Sequence, residues 1–427
     1  MLRTFASLFK NKEIRNKIFF TLAMLLIYRI GSAIPVPGVN AEQLASQISD
    51  NSILSMMNLL GGGALERLSV FAMGVHPYIT ASIIIQLLSM DVIPALTEMA
   101  KSGQTGRQKM NQITRYLAVV LSFVQAYSLV YGFDKQYVIL ENASLSGYLF
   151  TATVLTAGSM FLIWIGDRIS MKGIGNGISM IIFAGIVANM PAQFVQVYNI
   201  LAGGLSQGEL FNGILQFALY CLMYLAIIIF VIIMETAVRK IPIQYTNSSS
   251  IRGGSDITYL PFKINSASVI PVIFAQAIMT APQIIISFFN TDLYNKLNSF
   301  LSLSRWPGLC IYAVLTVLFT FFYTDLQVDP DKIAENLGKS GAYIAGIRPG
   351  AETRTYLHKV LNRITVLGAA ALTVVAVIPY LLTMFTPLTQ ATAIGGTGLI
   401  IVVGVAMETF GQLKGQLTQK QYHGFLK

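Results

Sequence analysis

Residue patterns that could support covalent catalysis are almost absent from this sequence. The segment 204–208 reads GLSQG and matches the G-x-S-x-G pattern of a serine nucleophile. That pattern requires a strand before the serine, a helix after it, and an acid and a histidine as partners. Here the segment lies in a polar loop, and His358 and His423 are predicted on the opposite side of the membrane. We interpret the match as chance and predict neither a catalytic residue nor an enzyme.

Metal and ion chemistry are also poorly supported. The three histidines are scattered and the two cysteines lie in separate apolar runs, so we predict no metal site and no cofactor. A transporter driven by ions needs ionisable groups inside the membrane, and the candidates are Arg29, Glu66, Arg67 and Glu408. We expect Arg29 to snorkel towards a membrane surface. Only the Glu66–Arg67 pair then lies in a broken element, which argues against ion coupling.

The elements that would position any site are strongly apolar. Of all residues, 54% are hydrophobic and 11% are charged, and the mean hydropathy is +0.63. This composition predicts an all-α, polytopic membrane protein in a single integral domain, residues 1–427. Ten apolar segments are near the length of a membrane span, at 18–36, 74–90, 116–133, 149–165, 177–190, 214–234, 266–289, 308–326, 361–382 and 397–412.

The distribution of basic residues predicts the orientation of these spans. Ten spans place both termini on one side of the membrane. If that side is the cytoplasm, its segments hold 24 of the 29 Lys and Arg residues; they are 1–17, 91–115, 166–176, 235–264, 327–363 and 411–427. Such a bias is the positive-inside rule. The sequence therefore predicts cytoplasmic termini.

One stretch, Asn58–Met90, interrupts the pattern of continuous spans. It begins as an apolar segment too short to cross a bilayer, and Gly61, Gly62 and Gly63 then break any helix. An apolar helix resumes after Pro77. Broken backbone at membrane depth is tolerated where it lines a cavity. We therefore predict that this stretch forms a plug and one wall of an aqueous path.

The walls of such a path would be apolar, although the pattern alone does not identify them. Val75 and Ile79 are four residues apart on one helical face, as are Ile178 and Ile182. Ordinary helix packing explains such pairs equally well. Polar residues also interrupt the apolar helices, at Thr80, Ser82, Gln86, Gln125, Asn265 and Gln276. They fit either hydrogen bonds between helices or a seam that opens as a gate.

Two predicted cytoplasmic loops, 235–264 and 327–363, are longer than connections need to be. Both contain glycine, proline and basic residues. Long loops on a compact core often bind partners, and simple marking of topology is the alternative. We expect a docking role.

Several motifs in this chain resemble those of the SecY/Sec61-alpha family of protein-conducting channel subunits. They occur in family order and cover nearly the whole chain: YRIGSAIPVPG at 28–38, GGGALERLSVFAMGVHPYITASIIIQLL at 61–88, GRQKMNQITRY at 106–116, KGIGNGISMIIFAGIVA at 172–188, RKIPIQY at 239–245, LPFKIN at 260–265, VIPVIFA at 269–275, FFYT at 321–324, NLGKSGAYIAGIRPG at 336–350 and GGTGLIIVVGVAMETF at 395–410. The resemblance implies two five-helix halves related by a pseudo-two-fold axis, at 1–190 and 191–412, and a cytoplasmic tail at 413–427.

The resemblance also implies roles for individual residues. A pore ring at the narrowest point would consist of Val75, Ile79, Ile178, Ile182, Ile273 and Ile401, and only Val75 departs from the family's usual isoleucine. A re-entrant plug would occupy about 53–70 and include Leu60, Gly61, Gly62, Gly63, Leu65, Glu66 and Arg67. A lateral gate would lie between the second and third spans and the seventh and eighth spans, near Thr80, Gln86, Gln125 and Asn265.

Partners and location follow from the same resemblance. Docking residues would be Arg348, which matches the family's docking arginine, and Arg252, Arg239 and Lys240, although loop 235–264 is poorer in basic residues than the family's usual loop. The implied partners are small SecE- and SecG-type membrane subunits, the SecA motor ATPase, the ribosome, preproteins with their signal sequences, membrane lipid, and further YidC and SecDF. The chain would lie in the bacterial cytoplasmic membrane. A secondary transporter of a small solute is the alternative, and a scaffold protein is a third.

Overall fold

The structure is a computed structural model, and it describes most of the chain. The described residues are 11–40, 61–89, 92–137, 140, 144–203, 210–245, 258–289, 297, 300–303, 305–385 and 396–424. Several predicted features lie outside them: the start of the plug up to Leu60, the docking residue Arg252, and the GLSQG segment at 204–208.

Twelve helices of eight residues or more organise the described part of the chain. They are α1 (Lys12–Gly31), α2 (His76–Leu88), α3 (Pro94–Lys101), α4 (Gln104–Tyr137), α5 (Leu145–Lys172), α6 (Gly177–Leu201), α7 (Leu210–Thr236), α8 (Ile270–Phe289), α9 (Trp306–Gln327), α10 (Pro330–Lys339), α11 (Ala351–Phe385) and α12 (Gly396–Gly424). Three strands, β1 (Val238–Tyr245), β2 (Thr258–Lys263) and β3 (Ala342–Ile344), complete the fold.

The prediction of a helical membrane protein is confirmed. Ten of the helices overlap the ten predicted spans, and α3 and α10 are short helices between them. Within the described residues, seven helices are long and apolar enough to cross a membrane, while α2 is a shorter apolar helix of 13 residues. Several helices extend beyond their apolar parts: α4 begins at Gln104 rather than near 116, and α12 continues past 412 to Gly424.

Capping side chains explain why two of the helices begin earlier or more sharply than hydropathy suggests. Asn11 precedes α1, and its side chain accepts a hydrogen bond from the N–H of Glu13 at 3.1 Å. Asn176 precedes α6, and its side-chain oxygen accepts from the N–H of Ile178 at 3.1 Å. Each cap satisfies a backbone donor that the first helical turn leaves free.

The two long loops do not remain separate connections, because they fold together. Strand β1 pairs antiparallel with β2, and β1 also pairs antiparallel with β3, so residues 100 positions apart share one sheet in the order β2-β1-β3. Helix α10 and the start of α11 pack on this sheet around Ile241, Phe262 and Leu357, which are all at least nine-tenths buried. This small sheet was not predicted from the sequence.

The membrane helices pack as two groups. Within the first five membrane helices, α4 packs on α2 and α5, and α1 packs on α5 and α6. Within the second five, α9 packs on α8 and α11, and α12 packs on α7 and α11. The groups meet where α6 packs on α7 and α12, and a second, sparser contact joins α4 to α8. One continuous apolar core runs through both groups.

Candidate constriction, plug and gate

A small cavity lies where the two groups of helices meet. Five of the six residues predicted for the pore ring line it: Val75, Ile79, Ile182, Ile273 and Ile401. Its volume is about 20 Å³, which is enough for roughly one water molecule. Residues predicted from separate helices thus converge on one closed neck.

The ring residues fill this neck with branched apolar side chains. Val75, Ile182 and Ile401 are 4%, 5% and 3% exposed, and all belong to the continuous core. Ile79 and Ile273 are partly buried and pack against that core. A narrow constriction lined by such groups offers ions no hydrogen bonds and excludes water.

The sixth predicted ring residue, Ile178, does not line the cavity. It lies one helical turn before Ile182 on α6, near the start of that helix. Its Cγ1 atom lies 3.1 Å from the point that a Cβ on Gly166 of α5 would occupy. Ile178 therefore packs where α5 and α6 approach closely, at the predicted cytoplasmic side of the neck.

Two polar side chains also line the cavity, and neither was assigned to the ring. The Nε2 atom of Gln276 donates to the hydroxyl of Tyr380 at 3.5 Å. The buried Nδ1 atom of His76 makes no hydrogen bond within the described part of the chain. A buried polar atom of this kind could bind a water molecule in the cavity.

The predicted plug is described from Gly61 onwards, and it is built from turns rather than a helix. Gly62, Gly63 and Gly74 have positive φ angles, as does Leu68. The segment is held by two backbone hydrogen bonds to the residues after α1: the N–H of Val36 donates to the Leu68 carbonyl at 3.1 Å, and the N–H of Val70 donates to the Ile34 carbonyl at 3.0 Å.

Side chains of the plug point in opposite directions. Leu65 and Leu68 are fully buried and pack in an apolar cluster with residues of α4 and α5, including Val130 and Leu155. Glu66 and Arg67 are both exposed. The charges of Glu66 and Arg67 are therefore not buried, and they do not cost the free energy that their position between apolar segments suggested.

Arg29 differs from its predicted role. We expected its side chain to extend towards the membrane surface. Instead its Nη1 atom donates a hydrogen bond of 2.6 Å to the carbonyl of Gly62 in the plug. This contact could not be predicted from the sequence, because 33 residues separate the two partners.

Gln86 connects the two groups of helices across the predicted gate. The hydroxyl of Tyr323 on α9 donates to its Oε1 atom at 3.1 Å, and its own Nε2 atom donates to Ser82 at 3.2 Å. Tyr323 is 7% exposed and was not singled out in the sequence. Its motif, FFYT, was the available signal.

The other predicted gate residues make different contacts. The hydroxyl of Thr80 donates to the His76 carbonyl of its own helix at 3.1 Å. The side-chain oxygen of Gln125 is buried without a hydrogen-bond donor among the described residues. Asn265 is 3% exposed, and its amide donates to Glu235 at 2.6 Å and to the Ser268 carbonyl at 3.2 Å. These Asn265 contacts stay within the second group of helices.

The three predicted docking residues that the structure describes lie on or beside the small sheet. Arg239 and Lys240 are exposed on β1, paired with Phe262 and Pro261 of β2. The side chain of Arg348 is 88% exposed, and its Nη1 atom lies 4.0 Å from the carboxylate of Glu352. These three cations are accessible to a partner.

Fold and site together define a multi-pass helical membrane protein with a plugged, apolar constriction between two groups of helices. Comparison with known families then assigns the chain. The family model SecY matches residues 69–410. This chain belongs to the SecY family.

Curated relatives agree over the full length. The chain is 46% identical to the protein translocase subunit SecY of Bacillus subtilis (strain 168) over 432 residues, covering 100% of both chains. It is 45% identical to the protein translocase subunit SecY of Staphylococcus carnosus (strain TM300), covering 100% of this chain and 99% of that protein.

Solved structures show the same fold at lower sequence identity. A structure described as that of a protein conducting channel superposes with a TM-score of 0.66 at 20% identity, and covers 93% of this chain and 91% of its own. Sec61 in a canine ribosome–channel complex superposes with a TM-score of 0.65 at 20% identity and the same coverage. At this identity the likeness concerns the fold.

Proposed function

We propose that this chain is the channel subunit of a bacterial protein translocase. It passes unfolded preproteins across the cytoplasmic membrane and releases hydrophobic segments laterally into the lipid. The observation that supports this proposal most directly is the apolar neck, where Val75, just before α2, meets Ile182 of α6 and Ile401 of α12 around one small cavity. A transporter of a small solute would instead need a site of converging polar groups.

The neck suits an extended peptide because of its side-chain chemistry. Branched apolar groups such as Ile79 and Ile273 can move apart around a chain without hydrogen-bonding to it, and they close to a dry seal when it leaves. The plug closes the neck further, since Gly61 lines the same cavity. Ile178, one turn from the cavity, contacts the translocating peptide as that peptide enters the neck.

Lateral release requires that α2 and α4 separate from α8 and α9. The seam between them is weakly held: in the described part of the chain a hydrogen bond joins Tyr323 to Gln86, and the contact of α4 with α8 is sparse. Hydrogen bonds between membrane helices typically contribute only about 0.6 kcal/mol each. A hydrophobic segment that enters this seam partitions into lipid according to its own hydrophobicity.

The halves at 1–190 and 191–412 move relative to each other as the seam opens. Their broad contact, between α6 and the helices α7 and α12, lies away from the seam and serves as the hinge. Thr80 and Gln125 lie on the helices that form the first side of the gate. Asn265 belongs to the second side of the gate. Its hydrogen bond to Glu235 fixes the position of the segment that leads into α8.

Energy comes from partners, since the chain itself performs no covalent chemistry. The SecA motor or the ribosome binds at Arg348, Arg239, Lys240 and Arg252. SecE- and SecG-type subunits surround the membrane helices. YidC and SecDF are further partners. Both termini and the sheet face the cytoplasm, in accordance with the positive-inside bias. Affinity purification of the full chain from membranes should recover a SecE-type subunit and SecA; recovery of neither would contradict this assignment.

A transport assay distinguishes the proposal from its alternatives. Proteoliposomes containing the full chain, its co-purifying subunits and SecA should import a preprotein only when it carries a signal sequence. Saturable uptake of a small solute, without preprotein import, would support a secondary transporter. A scaffold protein predicts no import, and it also predicts that deletion of residues 53–70 leaves the ion leak of the vesicles unchanged.

A further inference from the structure

Two adjacent residues of α1 hold the glycine tip of the plug, which we define as residues 61–63. The hydroxyl of Tyr28 donates to the Gly61 carbonyl at 3.1 Å. The guanidinium of Arg29 donates to the Gly62 carbonyl at 2.6 Å. Consecutive side chains therefore bind consecutive carbonyls of the plug.

The two carbonyls need these donors because of the local backbone. Residues 61–75 form turns, so the carbonyls of Gly61 and Gly62 have no helical N–H four residues later to bind. Both glycines are buried. A buried carbonyl without a donor is costly, and Tyr28 and Arg29 remove that cost only while the tip stays seated.

The tip fits this position because it lacks side chains. A Cβ atom on Gly62 would lie 2.7 Å from the Tyr28 hydroxyl and 2.9 Å from the Cα of Gly185 on α6. A Cβ atom on Gly63 would lie 3.1 Å from the side-chain oxygen of Asn189, also on α6. The tip is therefore seated between α1 and α6, and both contacts would be lost if it moved.

The seat lies directly beside the neck. Gly61, which accepts the Tyr28 hydrogen bond, also lines the cavity formed by Val75, Ile182 and Ile401. Tyr28 is 1% exposed, and its ring stacks on Phe71 with centroids 6.3 Å apart. The tyrosine thus contacts the glycine tip and also Phe71, just after the plug, while Arg29 adds a charge-assisted hydrogen bond.

We propose that Tyr28 and Arg29 are positioning residues that hold the glycine tip over the closed neck. The proposal rests on the channel function and on the sealing role of the plug. Plug displacement then requires both hydrogen bonds to break. Their strength sets the resting ion leak and the ease with which a preprotein opens the channel.

The test measures potassium efflux from proteoliposomes that contain the resting, full-length chain with its membrane subunits. Tyr28→Phe keeps the stacked ring and removes only the donor, and we expect efflux to rise about threefold. Arg29→Met removes the charged donor, and we expect a rise of about tenfold or more. Arg29→Lys keeps a cationic donor and should restore most of the seal. Tyr224→Phe, which removes a hydroxyl near Met190 instead, should have no effect.

A plug deletion separates failure of this inference from failure of the channel proposal. If deletion of residues 61–67 raises efflux but Tyr28→Phe and Arg29→Met do not, these residues do not hold the tip and the inference is overturned. If the deletion also leaves efflux unchanged, the sealing role of the plug fails as well. If Arg29→Met folds poorly, the efflux measured with Tyr28→Phe decides the test. Equal efflux from Arg29→Met and Arg29→Lys would also count against the inference.

Discussion

The hydroxyl of Tyr323 on α9 donates a hydrogen bond of 3.1 Å to the side-chain oxygen of Gln86 on α2. These residues are 237 positions apart and belong to different groups of helices. Their contact crosses the seam through which a hydrophobic segment would leave the channel. A neutral hydrogen bond there stabilises the closed seam without preventing it from opening.

Removal of this hydrogen bond should favour the open gate. Tyr323→Phe removes about 0.6 kcal/mol of closed-state stability, which corresponds to a roughly threefold shift towards the open state. Export of preproteins with defective signal sequences should therefore increase. Tyr312→Phe is the matched control, because the buried Tyr312 hydroxyl on the same helix makes no hydrogen bond within the described residues. An equal increase in both variants would show that the effect does not arise at the seam.

A polar side chain in the neck should weaken its seal. Ile401→Asn places an amide in the cavity beside Val75 and Ile182, which destabilises the closed state by about 2 kcal/mol. That cost shifts the equilibrium roughly thirtyfold towards the open state. Resting ion conductance and export of signal-defective preproteins should both rise. Ile401→Val keeps the neck apolar and should behave much more like the wild type. Unchanged selectivity in Ile401→Asn would contradict the role of Ile401 in the ring.

Reversal of charge at Arg348 should impair export driven by SecA without unfolding the chain. The backbone of Arg348 is fixed by the Thr353 hydroxyl, which donates to its carbonyl at 2.8 Å, but its side chain is 88% exposed. Arg348→Glu should lower the ATP-dependent export rate by about tenfold or more, because a like-charge contact with the partner would replace an attractive one. Lys339→Glu changes the charge of another exposed residue beside the sheet and serves as the control. Normal export by Arg348→Glu would rule out docking through this residue.

Loss of the Asn265 amide should destabilise the second group of helices. Asn265→Leu removes the hydrogen bond to Glu235 and leaves that carboxylate without its amide donor, at a cost of about 1–3 kcal/mol. Chemical unfolding of the detergent-solubilised chain should show the loss. Glu235→Gln retains an oxygen that accepts from Asn265 and should cost less. If both variants are as stable as the wild type, the Asn265–Glu235 hydrogen bond does not fix the segment that leads into α8.

The membrane helices could be predicted from the sequence because hydropathy is a local property. Ten apolar runs correspond to ten helices, and the glycines at 61–63 do mark a break in the helical pattern. The convergence of Val75, Ile182 and Ile401 was expected only through resemblance to a family. Spacing of four residues within one helix does not indicate which helices will meet.

The remaining features depend on contacts between distant segments. The sheet joins β1 to β3 across about 100 residues, and β3, with three residues, is too short to stand out in the sequence. Arg29 could equally well have reached a membrane surface, and its actual partner is a backbone carbonyl that has no distinguishing residue type. Asn265 illustrates the same limit, since an amide in an apolar run does not reveal which neighbour it binds.

Crosslinking to a preprotein tests the central proposal most directly. A photo-reactive residue at Ile182, in the neck, should crosslink to a preprotein arrested during export, whereas the same residue at Leu219, 68% exposed on α7, should not. Signal-dependent crosslinks from Ile182 alone are the predicted result. Crosslinks from Leu219 but not from Ile182 would contradict passage of the polypeptide through the neck.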